Sequence, residues 1–152
     1  MKIQFSQKLI VPDTLTIPYI EGDGIGPDIM KASLPVWDEA IKLSYGDERK
    51  IEWLELFAGE KSLKLYGEML PKETLEKLKD HIVGIKGPLT TPVGGFKSLN
   101  VTIREYLDLV VNFRPIKYFK NVPCVVKNPQ KMNIFLFREN TEDLYRGIEW
   151  EP

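Results

Sequence analysis

Ser98, Asn100 and Arg104 have the spacing of an anion site at the start of a helix. They follow a loop rich in proline and glycine, residues 87–97, and Arg104 comes one helical turn after Asn100. The free backbone N–H groups and the dipole of a helix N-terminus attract negative charge, and a guanidinium matches the geometry of a carboxylate. The segment therefore predicts a binding site for a carboxylate or a similar anion.

Two more arginines, Arg114 and Arg138, stand at the apparent ends of apolar strands. A single arginine is usually a surface residue. Open α/β sheets bind ligands at strand ends, however, and this position favours a functional role. Three arginines that converge on one cleft would suit a small molecule with several carboxylates.

The elements that must position these residues alternate between strand and helix. Helices are predicted from Pro27, over residues 71–79 and over about 98–107, and Pro35 is expected to kink or restart the first of them. This alternation predicts an α/β fold with a mostly parallel sheet and flanking helices. Residues 118–133 lack a regular period and predict a surface loop. Predicted strands cover residues 15–20, 51–57, 82–85, 109–113 and 134–137, and the apolar face of the first helix comprises Ile29, Met30, Leu34, Trp37, Ala40 and Ile41.

The glycines at positions 22, 24 and 26 suggest a dinucleotide-binding fingerprint. The spacing is wrong, because that fingerprint needs a glycine where this chain has Pro27. We therefore interpret the segment as a tight turn between a strand and a helix.

Composition narrows the classes of function. The chain has 152 residues, enough for one sizeable core, and 43% of them are hydrophobic. A net charge of −1 argues against nucleic acid as the main partner. The single cysteine, Cys124, excludes an internal disulfide and has no neighbour that would activate its thiol. We expect no secretory leader and no membrane span, and hence a cytoplasmic location.

Five motifs resemble the β-decarboxylating dehydrogenases and, among them, the bacterial-type isocitrate dehydrogenases. They occur in family order from about Val11 to the end of the chain. The Ser-Leu-Asn-Val-x-x-Arg signature separates isocitrate enzymes from isopropylmalate relatives, which carry apolar residues there to receive an alkyl group. The motifs are GDGIGPD, IKGPLTTPVGG, SLNVTIRE, LDLVVNFRP and FRENTEDLYRGIEW.

The resemblance implies that the chain is the N-terminal portion of a longer enzyme. Residues 1–108 would form the first part of a large domain and residues 109–143 the start of a small domain. Residues 144–152 would begin a clasp region that contributes to a homodimer. All three parts would be incomplete, and we expect the 152-residue chain to be inactive alone.

The resemblance also implies roles for individual residues. A regulatory kinase and phosphatase would act on Ser98, where a phosphate would bring roughly −1.5 to −2 charges to the place of a substrate carboxylate. His81 is expected to be structural. No metal ligand is expected in this chain, and Glu139, Glu142 and Asp143 form only a charged turn. Substrate carboxylates would be held by Ser98, Asn100, Arg104, Arg114 and Arg138, the cofactor would contact Ile25, Leu89 and Thr90, and Tyr145 would be the general acid.

The reaction implied is the oxidation of isocitrate by NADP, with NAD as the less favoured cofactor, followed by loss of CO2 to give 2-oxoglutarate. This reaction belongs to the tricarboxylic acid cycle and borders the glyoxylate bypass. It needs Mg²⁺ or Mn²⁺, whose ligands would lie outside this chain. Two alternatives remain open: a homoisocitrate or isopropylmalate dehydrogenase, and a non-catalytic fragment that acts in folding, regulation or dimerisation. Neither nucleic acid nor a membrane is an expected partner.

Overall fold

A computed structural model describes residues 1–5, 8–91 and 97–142. The chain forms two compact units, residues 1–103 and residues 104–152. Within the described residues, no helix has both the length and the apolar character that crossing a membrane requires. The domain boundaries expected from the sequence stay a prediction.

A three-stranded parallel sheet is the centre of the first unit. Its strands are β3 (Thr14–Ile20), β4 (Lys50–Glu55) and β5 (Ile85–Lys86), in the order β4-β3-β5. β3 is in the middle because it is the most apolar strand, and Ile17, Pro18 and Ile20 are buried. The strands β1 (Gln4–Phe5) and β2 (Leu9–Ile10) form a small antiparallel pair that the sequence did not indicate.

Helices connect the parallel strands, as predicted. They are α1 (Gly26–Tyr45), α2 (Glu60–Tyr66) and α3 (Lys72–Lys79). A fourth helix, α4 (Leu99–Tyr106), contains the boundary between the two units, which lies after Ile103. Of the two outcomes expected at Pro35, the restart was wrong, since α1 is a single helix, and the kink stays a prediction. Pro35 and Lys31 are both exposed, so the carbonyl that loses its N–H donor lies on the solvent side of the helix.

The apolar face of α1 covers the sheet only in part. Met30 is buried and Trp37 stacks on Trp53 of β4, with ring centroids 5.6 Å apart. Trp53 also donates a hydrogen bond from Nε1 to Asp38 Oδ1 at 2.9 Å. Ile29 and Ala40 of the predicted face are exposed.

The predicted strand at residues 82–85 shrinks to Ile85–Lys86. Only the last residues of β3 are available to pair with it, through Tyr19 with Ile85 and Ile20 with Lys86. Ile82 and Val83 precede this pairing and are exposed. Their apolar character was therefore a poor guide to the start of the strand.

The second unit contains a two-stranded antiparallel ribbon. β6 (Val111–Lys117) pairs with β7 (Asn133–Glu139) from Val111 opposite Glu139 to Lys117 opposite Asn133. The strands predicted at 109–113 and 134–137 are present, but the first begins later, at Val111, and both extend further toward the C-terminus. The connection between them is the predicted loop, apart from one 3-10 turn at Pro129–Lys131.

Lys61 on α2 joins two glutamates at the carboxyl end of the parallel sheet. Its Nζ donates to Glu21 Oε2 at 2.7 Å and to Glu55 Oε1. Burial lowers the pKa of Lys61, but the hydrogen bonds to the two carboxylates outweigh it, so the net pKa is raised. Burial, with the charges of Glu55 and Glu21, raises the pKa of Tyr19. The three charges therefore fix α2 against the ends of β3 and β4.

We predict that Lys61→Gln lowers the free energy of unfolding by about 1 kcal/mol, because two partly buried carboxylates lose their shared cation. The loss is small because the side chain of Lys61 is 40% exposed and water screens its charge. The matched control is Lys77→Gln, which removes only an exposed i,i+4 pair with Glu73 and should cost about 0.3–0.5 kcal/mol. Urea unfolding of both variants measures the difference. Equal losses would show that the Lys61 cluster is an ordinary surface network.

Candidate functional site

A tight turn follows β3 and leads into α1, as the sequence indicated. Gly22 and Gly24 have φ angles of 86° and 58°, which glycine adopts without strain. The N–H of Asp23 donates to the carbonyl of Pro88 at 2.7 Å. The turn is thus attached to the loop at residues 87–91, which carries several of the predicted site residues.

The side chain of Asp23 is buried in this turn, with 5% of the residue exposed. Its Oδ1 accepts the backbone N–H of Glu60 at 2.8 Å, and its Oδ2 accepts the backbone N–H of Thr90, also at 2.8 Å. One carboxylate therefore joins the start of α2 to the 87–91 loop. Sequence reasoning missed this residue; the available signal was an aspartate between two glycines at the end of a buried strand.

Three glycines allow the backbone segments to approach this closely. A Cβ at Gly22 would overlap the carbonyl oxygen of Pro88, and one at Gly87 would overlap that of Glu21. A Cβ at Gly59 would overlap the carboxylate of Asp23. Space therefore requires glycine at all three positions, and the φ angles of 86° at Gly22 and 76° at Gly59 require it there for conformational reasons as well.

Asn100 on α4 is held from two sides. Its Nδ2 donates to the carbonyl of Leu89 at 3.1 Å, and its Oδ1 accepts a hydrogen bond from Lys86 Nζ at 2.8 Å. Lysine can only donate, so the amide orientation is determined by its partners. Lys86 also donates to the carbonyl of Gly87 at 2.7 Å. Lys86 was not singled out from the sequence, although a lysine just before Gly-Pro at a strand end was a usable signal.

Ser98 lies at the start of α4, where the sequence placed it. Its carbonyl accepts the N–H of Thr102 at 3.0 Å and thereby begins the helical hydrogen bonding. Its Oγ accepts a hydrogen bond from Thr91 Oγ1 at 3.1 Å. The structure therefore brings Ser98, Asn100, Thr91 and Lys86 together around the N-terminal end of α4. Arg104 is half-buried and follows one turn beyond Asn100 on the same helix.

The three residues expected to contact a cofactor occupy the turn and the loop that Asp23 joins. Leu89 is buried, and Thr90 is exposed while its N–H is bonded to Asp23. Ile25, at the start of α1, leaves 67% of its surface exposed. These positions offer a hydroxyl and an apolar surface, and the cofactor contacts stay a prediction.

Arg114 and Arg138 lie on one face of the β6–β7 ribbon. Asn112 is opposite Arg138 and Arg114 is opposite Leu136, which makes the two arginines diagonal neighbours. Arg114 Nε also donates to Asn112 Oδ1 at 3.0 Å. The expectation that Arg114 ends a strand was wrong: it is in the middle of β6, because pairing with β7 continues to Lys117. Tyr145, the expected general acid, is outside the described residues.

Glu139 at the end of β7 stabilises the turn that follows. One of its oxygens, Oε1, accepts the N–H groups of Thr141 at 2.7 Å and Glu142 at 2.9 Å. The hydrogen bond from the N–H of Thr141 is the main cause of a lowered pKa of Glu139. His81 likewise has a local role, since its Nδ1 is 2.7 Å from the carbonyl of Lys77.

The chain is similar in sequence to known proteins over almost its whole length. The family model of isocitrate/isopropylmalate dehydrogenases matches residues 16–151. A Coxiella burnetii protein named isocitrate dehydrogenase (NADP) is 57% identical over 145 residues, which are 93% of this chain and 34% of that protein. A protein of the same name from Archaeoglobus fulgidus is 54% identical over 151 residues, 98% of this chain and 36% of that protein.

A solved structure also matches. The crystal structure of isocitrate dehydrogenase from Methylococcus capsulatus has a TM-score of 0.73 at 39% identity, over 88% of this chain and 37% of that one. The chain thus spans about a third of the length of the relatives that it matches.

We predict that Gly87→Ala lowers the free energy of unfolding by about 3 kcal/mol or more, because the new Cβ and the carbonyl of Glu21 cannot occupy the same space. Gly67→Ala is the matched control: Gly67 is in the left-handed region, with a φ of 78° and a ψ of 3°, but has open space around it, and the substitution should cost about 1 kcal/mol. Thermal and urea unfolding compare the two. A smaller loss at Gly87 than at Gly67 would contradict the close approach of β3 and β5.

Proposed function

The chain belongs to the isocitrate/isopropylmalate dehydrogenase family, and from that premise we propose that it is the N-terminal part of an NADP-dependent isocitrate dehydrogenase. The observation that carries the proposal is the polar N-terminal end of α4, where Ser98 and Asn100 are oriented by Thr91, Lys86 and the carbonyl of Leu89. The names of the relatives at 54% and 57% identity support the same activity.

Ser98 and Asn100 would bind a carboxylate of isocitrate. The Oγ of Ser98 accepts a hydrogen bond from the hydroxyl of Thr91. This bond polarises the O–H group of Ser98 and makes it a better donor to a carboxylate. Asn100 uses one Nδ2 hydrogen for Leu89 and has a second to offer. The dipole at the start of α4 adds to the attraction of an anion.

The arginines would supply the countercharge. Arg104 follows on α4, and Arg114 and Arg138 share one face of the ribbon. Each guanidinium can bind a carboxylate through two parallel hydrogen bonds, which fixes the orientation of the substrate as well as its charge. Isocitrate, with three carboxylates, matches this set of donors. Tyr145 would protonate the carbon left after loss of CO2.

NADP fits the groups at the turn and the loop. The exposed side chain of Ile25 would receive the adenine, while Leu89 and the hydroxyl of Thr90 would contact the nicotinamide side. The bound cofactor supplies the acceptor for the hydride that leaves the substrate. The N–H of Thr90 is bonded to Asp23, so Thr90 can donate a hydrogen bond to the ligand only through its hydroxyl.

The described residues contain no group of three or more His, Cys, Asp or Glu that could hold a metal ion. We expect the Mg²⁺ or Mn²⁺ of the proposed reaction to take its ligands from the rest of the complete protein, as the resemblance implies. The proposal includes a cytoplasmic homodimer in the tricarboxylic acid cycle, and a kinase and phosphatase of the glyoxylate branch point acting on Ser98.

Turnover of a completed enzyme decides between this proposal and a homoisocitrate or isopropylmalate dehydrogenase. The full-length enzyme for these tests is residues 1–152 continued in register by the rest of the Coxiella burnetii relative. We expect it to form NADPH from isocitrate with Mg²⁺ or Mn²⁺. Preference for isopropylmalate or homoisocitrate in a substrate panel would move the protein to another branch of the family.

We predict that Ser98→Asp in the full-length enzyme lowers kcat/KM for isocitrate by about 100-fold or more and leaves Tm unchanged. A carboxylate is favourable at a helix N-terminus but repels the substrate's own carboxylate. Ser98→Ala is the control: it removes one hydrogen bond to a charged group and should cost about 10-fold. If Ser98→Asp behaves like Ser98→Ala in steady-state kinetics, Ser98 is not close to a substrate carboxylate.

We predict that Arg104→Lys, Arg114→Lys and Arg138→Lys each lower kcat/KM for isocitrate by about 10-fold or more, because lysine keeps the charge but loses the paired hydrogen bonds. Arg49→Lys is the matched control, since Arg49 pairs with Asp13 on the surface and should change activity little. Steady-state kinetics with isocitrate measures all four. Near-normal kcat/KM in one of the three would remove that arginine from the substrate site.

A further inference from the structure

Asp23 is a buried charged residue for which the proposed reaction has no use. A buried carboxylate is unfavourable unless it is hydrogen-bonded, and here each oxygen accepts one backbone N–H. The donors belong to segments far apart in sequence, at residues 60 and 90. The carboxylate therefore determines where two separate pieces of backbone lie.

The bond to Thr90 has a direct consequence for Asn100. The N–H of Thr90 and the carbonyl of Leu89 belong to the same planar peptide group, and in a trans peptide they point in opposite directions. The N–H is bonded to Asp23 and the carbonyl is bonded to Asn100 Nδ2. A rotation of this one peptide group would break both hydrogen bonds together.

We propose that Asp23 is a positioning residue that acts on the active site through the Leu89–Thr90 peptide group. It holds this peptide in the orientation that presents the Leu89 carbonyl to Asn100 and thereby orients the Asn100 amide. The inference rests on the proposed function for its catalytic consequence, because Asn100 is there a substrate ligand and Leu89 and Thr90 are cofactor contacts. The orientation of the peptide itself does not depend on that function.

The other contact of Asp23 provides a control. Glu60 is the first residue of α2, a position where proline is well tolerated because its missing N–H is not needed within the helix. Glu60→Pro removes the hydrogen bond to Asp23 Oδ1 and leaves the bond to Thr90 in place. If Asp23 acts through the Leu89–Thr90 peptide, Glu60→Pro lowers stability and leaves the KM for isocitrate unchanged.

The decisive experiment is a double-mutant cycle between Asp23→Ala and Asn100→Ala in the full-length enzyme. Alanine removes both acceptor oxygens, so the hydrogen bond to Thr90 is lost, whereas asparagine could turn its NH2 group toward Glu60 and keep that bond. We expect each single variant to raise the KM for isocitrate about 10-fold and the double variant to exceed Asn100→Ala by less than about 3-fold. Asp47→Ala, at an exposed position after α1, controls for the loss of an aspartate charge.

A multiplicative effect in the double variant would overturn the proposal, as would an Asp23→Ala variant that loses stability but keeps the KM of the unmodified enzyme. Hydrogen exchange of the Thr90 amide in the full-length protein adds a test that needs no activity. Asp23→Ala should speed this exchange by about 10-fold or more, and Glu60→Pro should not. Equal exchange rates in Asp23→Ala and the unmodified protein would also overturn it.

Two outcomes separate this inference from the proposed function. If the full-length protein does not turn over isocitrate, the proposed function fails, and the exchange rate of the Thr90 amide still decides whether Asp23 orients the peptide. If Asp23→Ala does not fold, Asn100→Ala tests the same peptide from its other side. Exchange at Thr90 should then be faster in Asn100→Ala, and an unchanged rate would contradict the coupling.

Discussion

The hydrogen bonding of one buried carboxylate organises the carboxyl edge of the parallel sheet. Asp23 lies in the turn between β3 and α1, and its carboxylate can be buried because the N–H groups of Glu60 and Thr90 donate hydrogen bonds to it. Those two contacts determine where α2 begins and how the 87–91 loop passes the turn. The requirement for glycine at positions 22, 59 and 87 follows, because a side chain at any of them would overlap the backbone or the carboxylate that makes these contacts.

Charge is concentrated at this same edge. Glu21 follows the end of β3, Glu55 is the last residue of β4, and both bind Lys61, while Lys86 ends β5 and bonds to Asn100. Open α/β sheets bind ligands beyond the carboxyl ends of their strands, where the loops provide polar groups and the strands provide a rigid base. The two lysines have different tasks: Lys61 fixes a helix in place, and Lys86 orients an amide that we assign to the substrate.

The sequence predicted what depends on local pattern. The strand at 15–20, the helix from Pro27 and the helix after the proline- and glycine-rich loop are present, because hydrophobic period and proline position act within a few residues. The role of Asp23 depends on donors at residues 60 and 90, which no local pattern connects. The prediction that Arg114 ends a strand was wrong for a similar reason, since pairing with β7, which is distant in sequence, decides where β6 ends.

The polar network around α4 also gives the proposed substrate preference a physical basis. Ser98 and Asn100 are oriented by Thr91, Lys86 and the Leu89 carbonyl before any ligand arrives, so little further ordering is needed when a carboxylate binds. An alkyl group at the same place would leave the O–H of Ser98 and an N–H of Asn100 without an acceptor and away from water. A site built to hydrogen-bond its substrate rejects an analogue that lacks the matching group far more strongly than an apolar pocket rejects a change in size. In the proposed function, the network that orients Ser98 and Asn100 would therefore also disfavour the alkyl-bearing substrates of the neighbouring branch of the family.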